Sequence, residues 1–402
     1  MKSMVTKPDA KAVLCLNSGS SSLKFGVYEV NRDNAVLLIN GQAEAIGESN
    51  SRFLVEDLRG KSVATVADTQ GEIPDQAAAL SSIVALFECG DMPRPTIIAH
   101  RVVHGGPKLL RHTPIDDYVM RELDLAIPFA PLHLPMAINA IRVAQSLFPA
   151  AEQVACFDTV FHSTLPPISK TLPLPASLLG EGVYRYGFHG ISCESILRQL
   201  ENDVPSRIII AHLGNGSSIT AVRDGQSIDT SMGLTPSGGV MMASRSGDLD
   251  PGVLIYLLRS GKVDLNALED LVDRRSGLTG VSGMSGDLRS LRKVADDNPR
   301  AALSIAMFCL SVSKQISSMM VVLGGLDLLV FTGGIGENDA VTRSAICAGL
   351  TCLGIVLDEE RNRAVTSHEV QEIGGSRCSV RAMHSDENRE IALHAWNVQN
   401  SK

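Results

Sequence analysis

Three glycine-bearing turns, each following a strand-like apolar run, carry the first chemical signal. The stretch Leu14–Phe25 holds Asn17-Ser18-Gly19-Ser20-Ser21-Ser22 before Leu23-Lys24-Phe25, and Ala211–Thr220 holds Gly214-Asn215-Gly216-Ser217-Ser218. Both read as β-hairpins, because Gly and Asn tolerate the positive φ of tight turns. Such turns also expose backbone N–H groups that suit a phosphate. Aligning Ser21 with Ser217 gives an offset of 217 − 21 = 196 residues, close to half of 402, which suggests a duplicated fold gripping one phosphate-bearing ligand. The third turn, Thr332-Gly333-Gly334-Ile335-Gly336-Glu337-Asn338, follows Leu328–Phe331, and Asp339 is placed to cap the next helix. Strand, glycine loop and helix N-terminus together make a nucleotide platform. One such loop is more often an ordinary βα connection; three complementary turns favour a nucleotide. No GxxxxGK[ST] or well-formed GxGxxG is present, so the phosphates are held another way.

Charged and histidine side chains cluster beside apolar runs. Arg101 lies in HRVVHGG after a strand, where a guanidinium either forks onto carboxylate or phosphate or stays on the surface. Asp158 follows Val154–Phe157, a position for catalysis or Mg²⁺ and also for a helix cap. His133 sits between prolines and His189 between glycine and aromatic neighbours; each reads as a phosphate ligand or a hydrogen-bonded core histidine. Zinc-ligand spacing is absent. The stretch Asp229–Pro236, continuing to Arg245-Ser246-Gly247-Asp248, is rich in hydroxyls and glycines and reads as an active-site loop. Asp287-Leu288-Arg289 reads as a nucleotide contact or a plain helix start.

These groups need a scaffold. Short buried strands alternate with helical stretches, the α/β signature. Strands are expected at Val13–Leu16, Lys24–Glu29, Thr96–Ala99, Gln153–Phe157, Arg207–His212, Ser218–Arg223 and Leu326–Phe331. Helices are expected at Asp75–Phe87, Met136–Ser146, Ser192–Leu200, Val253–Leu258, Arg300–Leu323 and Ala340–Leu350. Pro166–Pro175 with Gly180–Gly182 reads as an irregular joint. A length of 402 residues suits two domains. The net charge of −8 without a basic run argues against nucleic acid or an anionic membrane as main partner. Aromatics at 4 % leave few stacking platforms for single strands. The eight cysteines form no CxxC pair and read as buried hydrophobes in a reducing compartment. Met1–Lys11 is no signal peptide, and Met319–Phe331 is too broken to span a bilayer, so a soluble cytoplasmic protein is expected.

The segments HRVVHGG, FDTVFH, YGFHG, HLGNGSS, DTSMGLTP, RSGD and FTGGIGEN, in this order, resemble the acetate kinase family of the actin/hexokinase/Hsp70-like superfamily from Leu14 to about Ala392. The resemblance implies two duplicated actin-like, ribonuclease-H-like α/β domains around a central cleft. These are 11–158 with 386–402, the C-terminal helix returning to the first domain, and 159–385 as the nucleotide-binding domain. It implies Mg²⁺-dependent transfer of phosphoryl from ATP to acetate, with Mn²⁺ as alternative ion, propionate or butyrate as alternative acids, and a homodimer. By motif, Asn17 and Glu387 would support Mg²⁺ and Lys24 would approach the phosphates. Arg101, Asp158, His189 and Arg245 would be catalytic. Arg101, Val103, Leu132, His133, Phe188 and Pro236 would meet the acid. His212, Leu213, Gly214, Asn215, Gly216, Asp287, Leu288, Arg289, Gly334, Ile335, Gly336, Glu337 and Asn338 would bind the nucleotide. The chain departs from the family pattern at Leu134, where Asn is usual, and at Asn388, where a second glutamate is usual.

Overall fold

The computed structural model describes residues 10–19, 22–32, 34–57, 64–70, 72–88, 92–366, 370–375 and 378–400. Ser20 and Ser21 of the first turn, and Cys89, lie outside the described residues. The chain divides into two compact units. Described residues up to Val160, with those from Asp386 onward, form the first; Phe161–Ser385 form the second.

The first unit is built on strands β1 (Lys11–Ser18), β2 (Leu23–Val30), β3 (Ala35–Glu44), β4 (Arg52–Asp57), β5 (Ala64–Gln70), β6 (Ile97–Val102), β7 (Thr113–Pro114) and β8 (Glu152–Phe157). Their sheet order is β5-β4-β3-β2-β1-β6-β8-β7. The second unit holds β9 (Arg207–Leu213), β10 (Ser217–Arg223), β11 (Gln226–Thr230), β12 (Leu328–Thr332), β13 (Gln371–Glu372) and β14 (Ser379–Ala382), in the order β11-β10-β9-β12-β14-β13. Six strands therefore correspond one to one: β3-β2-β1-β6-β8-β7 and β11-β10-β9-β12-β14-β13. The directions correspond too. An antiparallel meander of three strands joins two parallel strands, and a short antiparallel strand closes the far edge. The duplicated α/β fold expected from the sequence is thus present.

Central strands are buried on both faces, which makes their sequences continuous apolar runs. Val13–Leu16 in β1, Ile208–Ala211 in β9 and Leu328–Phe331 in β12 are at most 1 % exposed. In the first unit the helices Gln76–Glu88 and Leu134–Leu147 bring Leu80, Ile83, Ala140 and Ala144 onto Leu14 and Leu16. The helix Glu387–Asn400 packs on β1, β2 and β6. In the second unit the helix Pro299–Leu323 buries Ala301, Ser304, Phe308, Val312, Ile316, Met319 and Leu323, a stripe at helical spacing. This helix is long and apolar enough to cross a membrane, but its stripe belongs to the core of the unit. Gly324, at φ 68°, ends it in the left-handed conformation that glycine accepts.

Several local expectations change. Pro166–Pro175, expected as irregular, contains a short helix, Pro167–Lys170. Gly277–Ser282 is helical despite its glycines. The loop after β11 is not apolar-poor in its packing, since Met232, Val240 and Met242 are buried. Cys15, Cys156, Cys193, Cys309, Cys347 and Cys378 are buried, whereas Cys352 is exposed.

Candidate active site

In the first unit, β1, β6 and β8 run parallel, side by side. Their carboxyl ends therefore present Asn17, Arg101 and, one residue past β8, Asp158 together, at the edge where α/β sheets place ligands. Arg101 Nε donates to Asp158 Oδ1 at 2.9 Å and Nη2 donates to Oδ2 at 2.7 Å, a fork-to-fork pair. Nη1 turns the other way. It donates to Asn17 Oδ1 at 3.3 Å and lies 3.6 Å from Glu387 Oε2. Burial opposes the charge on Arg101, but Asp158 and then Glu387 outweigh it, so its pKa rises above the ordinary guanidinium value. Lys24 pairs with Asn17 across the hairpin and is exposed.

Beside Arg101, His100 is buried and its Nε2 bonds Gln153 Oε1 at 2.7 Å. Burial pushes its pKa down to about 4, against the Gln153 contact. Val103, Leu132 and His133 are half-buried. His133 immediately precedes the helix Leu134–Leu147. Leu134 itself is fully buried, in a cluster with Val102, Ile138 and Phe157. It is a core residue of this unit, where a polar asparagine would need a buried partner.

In the second unit, β9 and β10 form the hairpin that carries the turn Gly214-Asn215-Gly216. Neither glycine adopts positive φ, contrary to the sequence reading. Space is the constraint: a Cβ on Gly216 would sit 3.2 Å from His189 Nε2 and 3.4 Å from Arg245 Nη1. The turn, His189 and Arg245 thus meet at one point. His189 Nδ1 bonds Ser218 Oγ at 3.0 Å, and its ring stacks on His212 with centroids 4.2 Å apart. His212 Nδ1 bonds Ser192 Oγ at 2.8 Å. Arg245 Nη1 donates to the carbonyl of Pro236 at 3.4 Å; burial pulls its pKa down, against Asp273. Phe188 and Pro236 are buried.

The third turn behaves differently. Gly333–Asn338 is a short helix, and Gly333, at φ +76°, allows the chain to approach the carbonyl of Leu213. Glu337 points its carboxylate inward. It accepts from the N–H groups of Gly333 at 3.0 Å and Ser385 at 3.2 Å, and meets His384 Nδ1 at 2.8 Å. Burial would raise its pKa, but His384 and the two amides together hold it below the ordinary value. Gly334 has open space where a Cβ would stand. Asp339 caps the next helix at Thr342, as its position in the sequence suggested. Asp287 caps the helix Leu288–Arg292 and is gripped by the Arg289 side chain at 3.2 Å, while Leu288 is buried. Leu213 is buried too.

Sequence reasoning missed Ser192, and it read Ser218 as part of the turn without its bond to His189. It also missed His384 and Arg343. Arg343 is 1 % exposed and donates to the carbonyls of Gly336 and Glu337, both at 2.8 Å, holding the third turn from beneath.

The donor set at the carboxyl end of the first sheet suits a hard cation. Asn17 offers an amide oxygen and Glu387 a carboxylate, both converging on one nitrogen of Arg101. Oxygen ligands of this kind, few and partly carboxylate, are what Mg²⁺ takes beside substrate phosphates.

Residues 12–393 match the acetokinase family. The chain belongs to that family. An acetate kinase of Methylocella silvestris is 39 % identical, over 96 % of this chain and 97 % of that protein. One from Streptomyces avermitilis is 40 % identical, over 96 % of both. The crystal structure of Porphyromonas gingivalis acetate kinase superposes with a TM-score of 0.84 at 33 % identity, covering 97 % of this chain and 100 % of that one. A propionate kinase from Francisella tularensis gives 0.86 at 34 %, covering 96 % and 100 %. Membership of the acetokinase family agrees with the motifs and with the paired sheets of both units.

Proposed function

We propose that the chain is an ATP:acetate phosphotransferase, making acetyl phosphate and ADP reversibly by direct in-line transfer. The observation that carries this reading is the Arg101 cluster: a guanidinium held in a fork by Asp158, with Asn17 and Glu387 on its remaining nitrogen. The acid substrate is already ionised at neutral pH, so no general base is needed to activate it. Arg101 holds the carboxylate. Asp158 orients Arg101 and offsets its charge. Val103, Leu132, His133, Phe188 and Pro236 bound the acyl group. His189 and Arg245 offer hydrogen bonds and charge to the transferring phosphoryl, whose three equatorial oxygens carry spread negative charge. The turn His212–Gly216, the residues Asp287–Arg289 and Gly334–Asn338, and Lys24 serve the nucleotide.

Asn17 and Glu387 would hold Mg²⁺, or Mn²⁺ in its place. When bound, that ion would neutralise phosphate charge. We also place the protein in the cytoplasm as a homodimer. Exposed Val253, Ile255, Tyr256 and Leu258 on the helix Pro251–Arg259, which buries none of its residues, support an interface there.

The test is ADP release with ATP and Mg²⁺ against acetate, propionate and butyrate. Release that requires a short-chain acid, with kcat/KM highest for acetate, is expected. Release independent of any acid would reject the reading. The spread among the acids is limited, since one methylene is worth about 1–3 kcal/mol.

A further inference from the structure

We propose that His162 is a positioning residue for His189, fixing the peptide that aims the His189 imidazole at the Gly214–Gly216 turn. The inference rests on the proposed role of His189. His162 is 2 % exposed, and both ring nitrogens are engaged. Nε2 bonds the carbonyl of Phe188 at 3.0 Å; a carbonyl only accepts, so Nε2 carries the proton. Nδ1 is then the lone-pair nitrogen and accepts from the Ser227 hydroxyl at 2.8 Å. Burial lowers the His162 pKa to about 4, against the Phe188 carbonyl and Glu194, so the ring stays neutral in one tautomer near neutral pH. It is a fixed bracket, donor to Phe188 and acceptor from Ser227, that does not change charge near neutral pH.

What the bracket holds is a strained peptide. The carbonyl of Phe188 and the N–H of His189 share one plane, and His189 adopts φ 57°, ψ 28°, a left-handed conformation that non-glycine residues avoid. Such strain persists where surrounding contacts over-determine it. His162 supplies two of those contacts. Besides the bond to Phe188, its ring lies where Gly187 has no side chain: a Cβ there would come within 2.7 Å of the ring. Gly187, at φ +75°, completes the bend. Beyond it, His189 Nδ1 meets Ser218, and Nε2 faces Gly216 beside Arg245. FDTVFH therefore contributes a residue that touches no substrate yet sets the direction of one that does.

The test uses isosteres. Gln places its amide nitrogen near imidazole Nε2, and Asn places its own near Nδ1. His162→Gln keeps a donor for Phe188; His162→Asn and His162→Phe do not. We expect kcat to fall at least tenfold in His162→Asn and His162→Phe, with KM for ATP and acid within about threefold, and to recover most of the way in His162→Gln. The ¹⁵N shifts and the titration of His189 should move in His162→Asn and return in His162→Gln. Ser227→Ala, which spares the Phe188 bond, should leave kcat within about twofold. Unmoved His189 signals in His162→Asn, or equal losses in the Asn and Gln variants, would overturn the proposal. Full turnover in His189→Ala would instead reject the catalytic role of His189, leaving the His189 signals as the separate test of positioning.

Discussion

The two sheets share six strands in the same order and direction, yet their first hairpins do different work. In the first unit the β1–β2 hairpin contributes side chains: Asn17, which reaches Arg101, and the exposed Lys24 paired with it. In the second the β9–β10 hairpin contributes the lack of them, since Gly216 leaves the space into which His189 and Arg245 point. The first unit also extends its sheet with β4 and β5, which have no counterpart in the second. Duplication supplied one frame, and the divergence lies in what each frame presents at the ends of its central strands. One end is a charged cluster locked by ion pairs; the other is an open turn bordered by stacked histidines.

The comparison breaks most severely at the locked cluster. Arg101→Lys removes the fork that Asp158 requires, and Asp158→Asn removes the charge that holds it. Each should lower kcat by about 10²–10³, as lost preorganised groups do. If Asp158 also steadies a bound cation, the Asn variant will need more Mg²⁺ for half-maximal rate. An unchanged Mg²⁺ requirement would confine Asp158 to the guanidinium.

At the open turn the expected effect is smaller. Gly216→Ala puts a methyl group 3.2 Å from His189 Nε2, close enough to push the imidazole a few tenths of an ångström from its place against Ser218 and His212. A roughly tenfold loss in kcat/KM for ATP is expected from steady-state kinetics, with little change in thermal stability. Gly334→Ala, where the Cβ meets open space within the protein, separates packing from contact with the nucleotide. A loss there without a loss in stability would report ligand contact.

The units also share a pH liability, since each holds a histidine that burial keeps neutral. His100 and His162 both have pKa values lowered from 6.5 to about 4. The unfolded chain binds protons on them first as pH falls, so stability is full above pH 6.5 and is lost between 6.5 and 4. A shift of this size corresponds to about 3 kcal/mol per histidine. His100→Gln should flatten part of that slope in denaturant titrations run at several pH values. An unaltered slope would mean that His100 is not held neutral.

The sequence made some of this legible and hid the rest for physical reasons. Strands β1, β8, β9 and β12 are buried on both faces, so their apolar runs stand out. In β3, Asn40, Gly41 and Gln42 interrupt the apolar run and hide the strand. The residue types at the site were visible through their motifs. Their pairings were not: the Arg101–Asp158 fork joins residues 57 apart, and the Glu387 contact depends on a terminal helix packing back on β1. The turn glycines were found for the wrong reason, conformation where the constraint is space. His162 stands within FDTVFH with no legible role, because its partner is a backbone carbonyl, which leaves no mark in a sequence.

The most direct measurement of the central claim is a hydroxylamine trap. Protein, ATP, Mg²⁺ and acetate are mixed, and acyl phosphate is captured as hydroxamate. Hydroxamate that needs all four components is expected, with Arg101→Lys reduced by at least a hundredfold. ATP consumption with no hydroxamate from acetate, propionate or butyrate would contradict it.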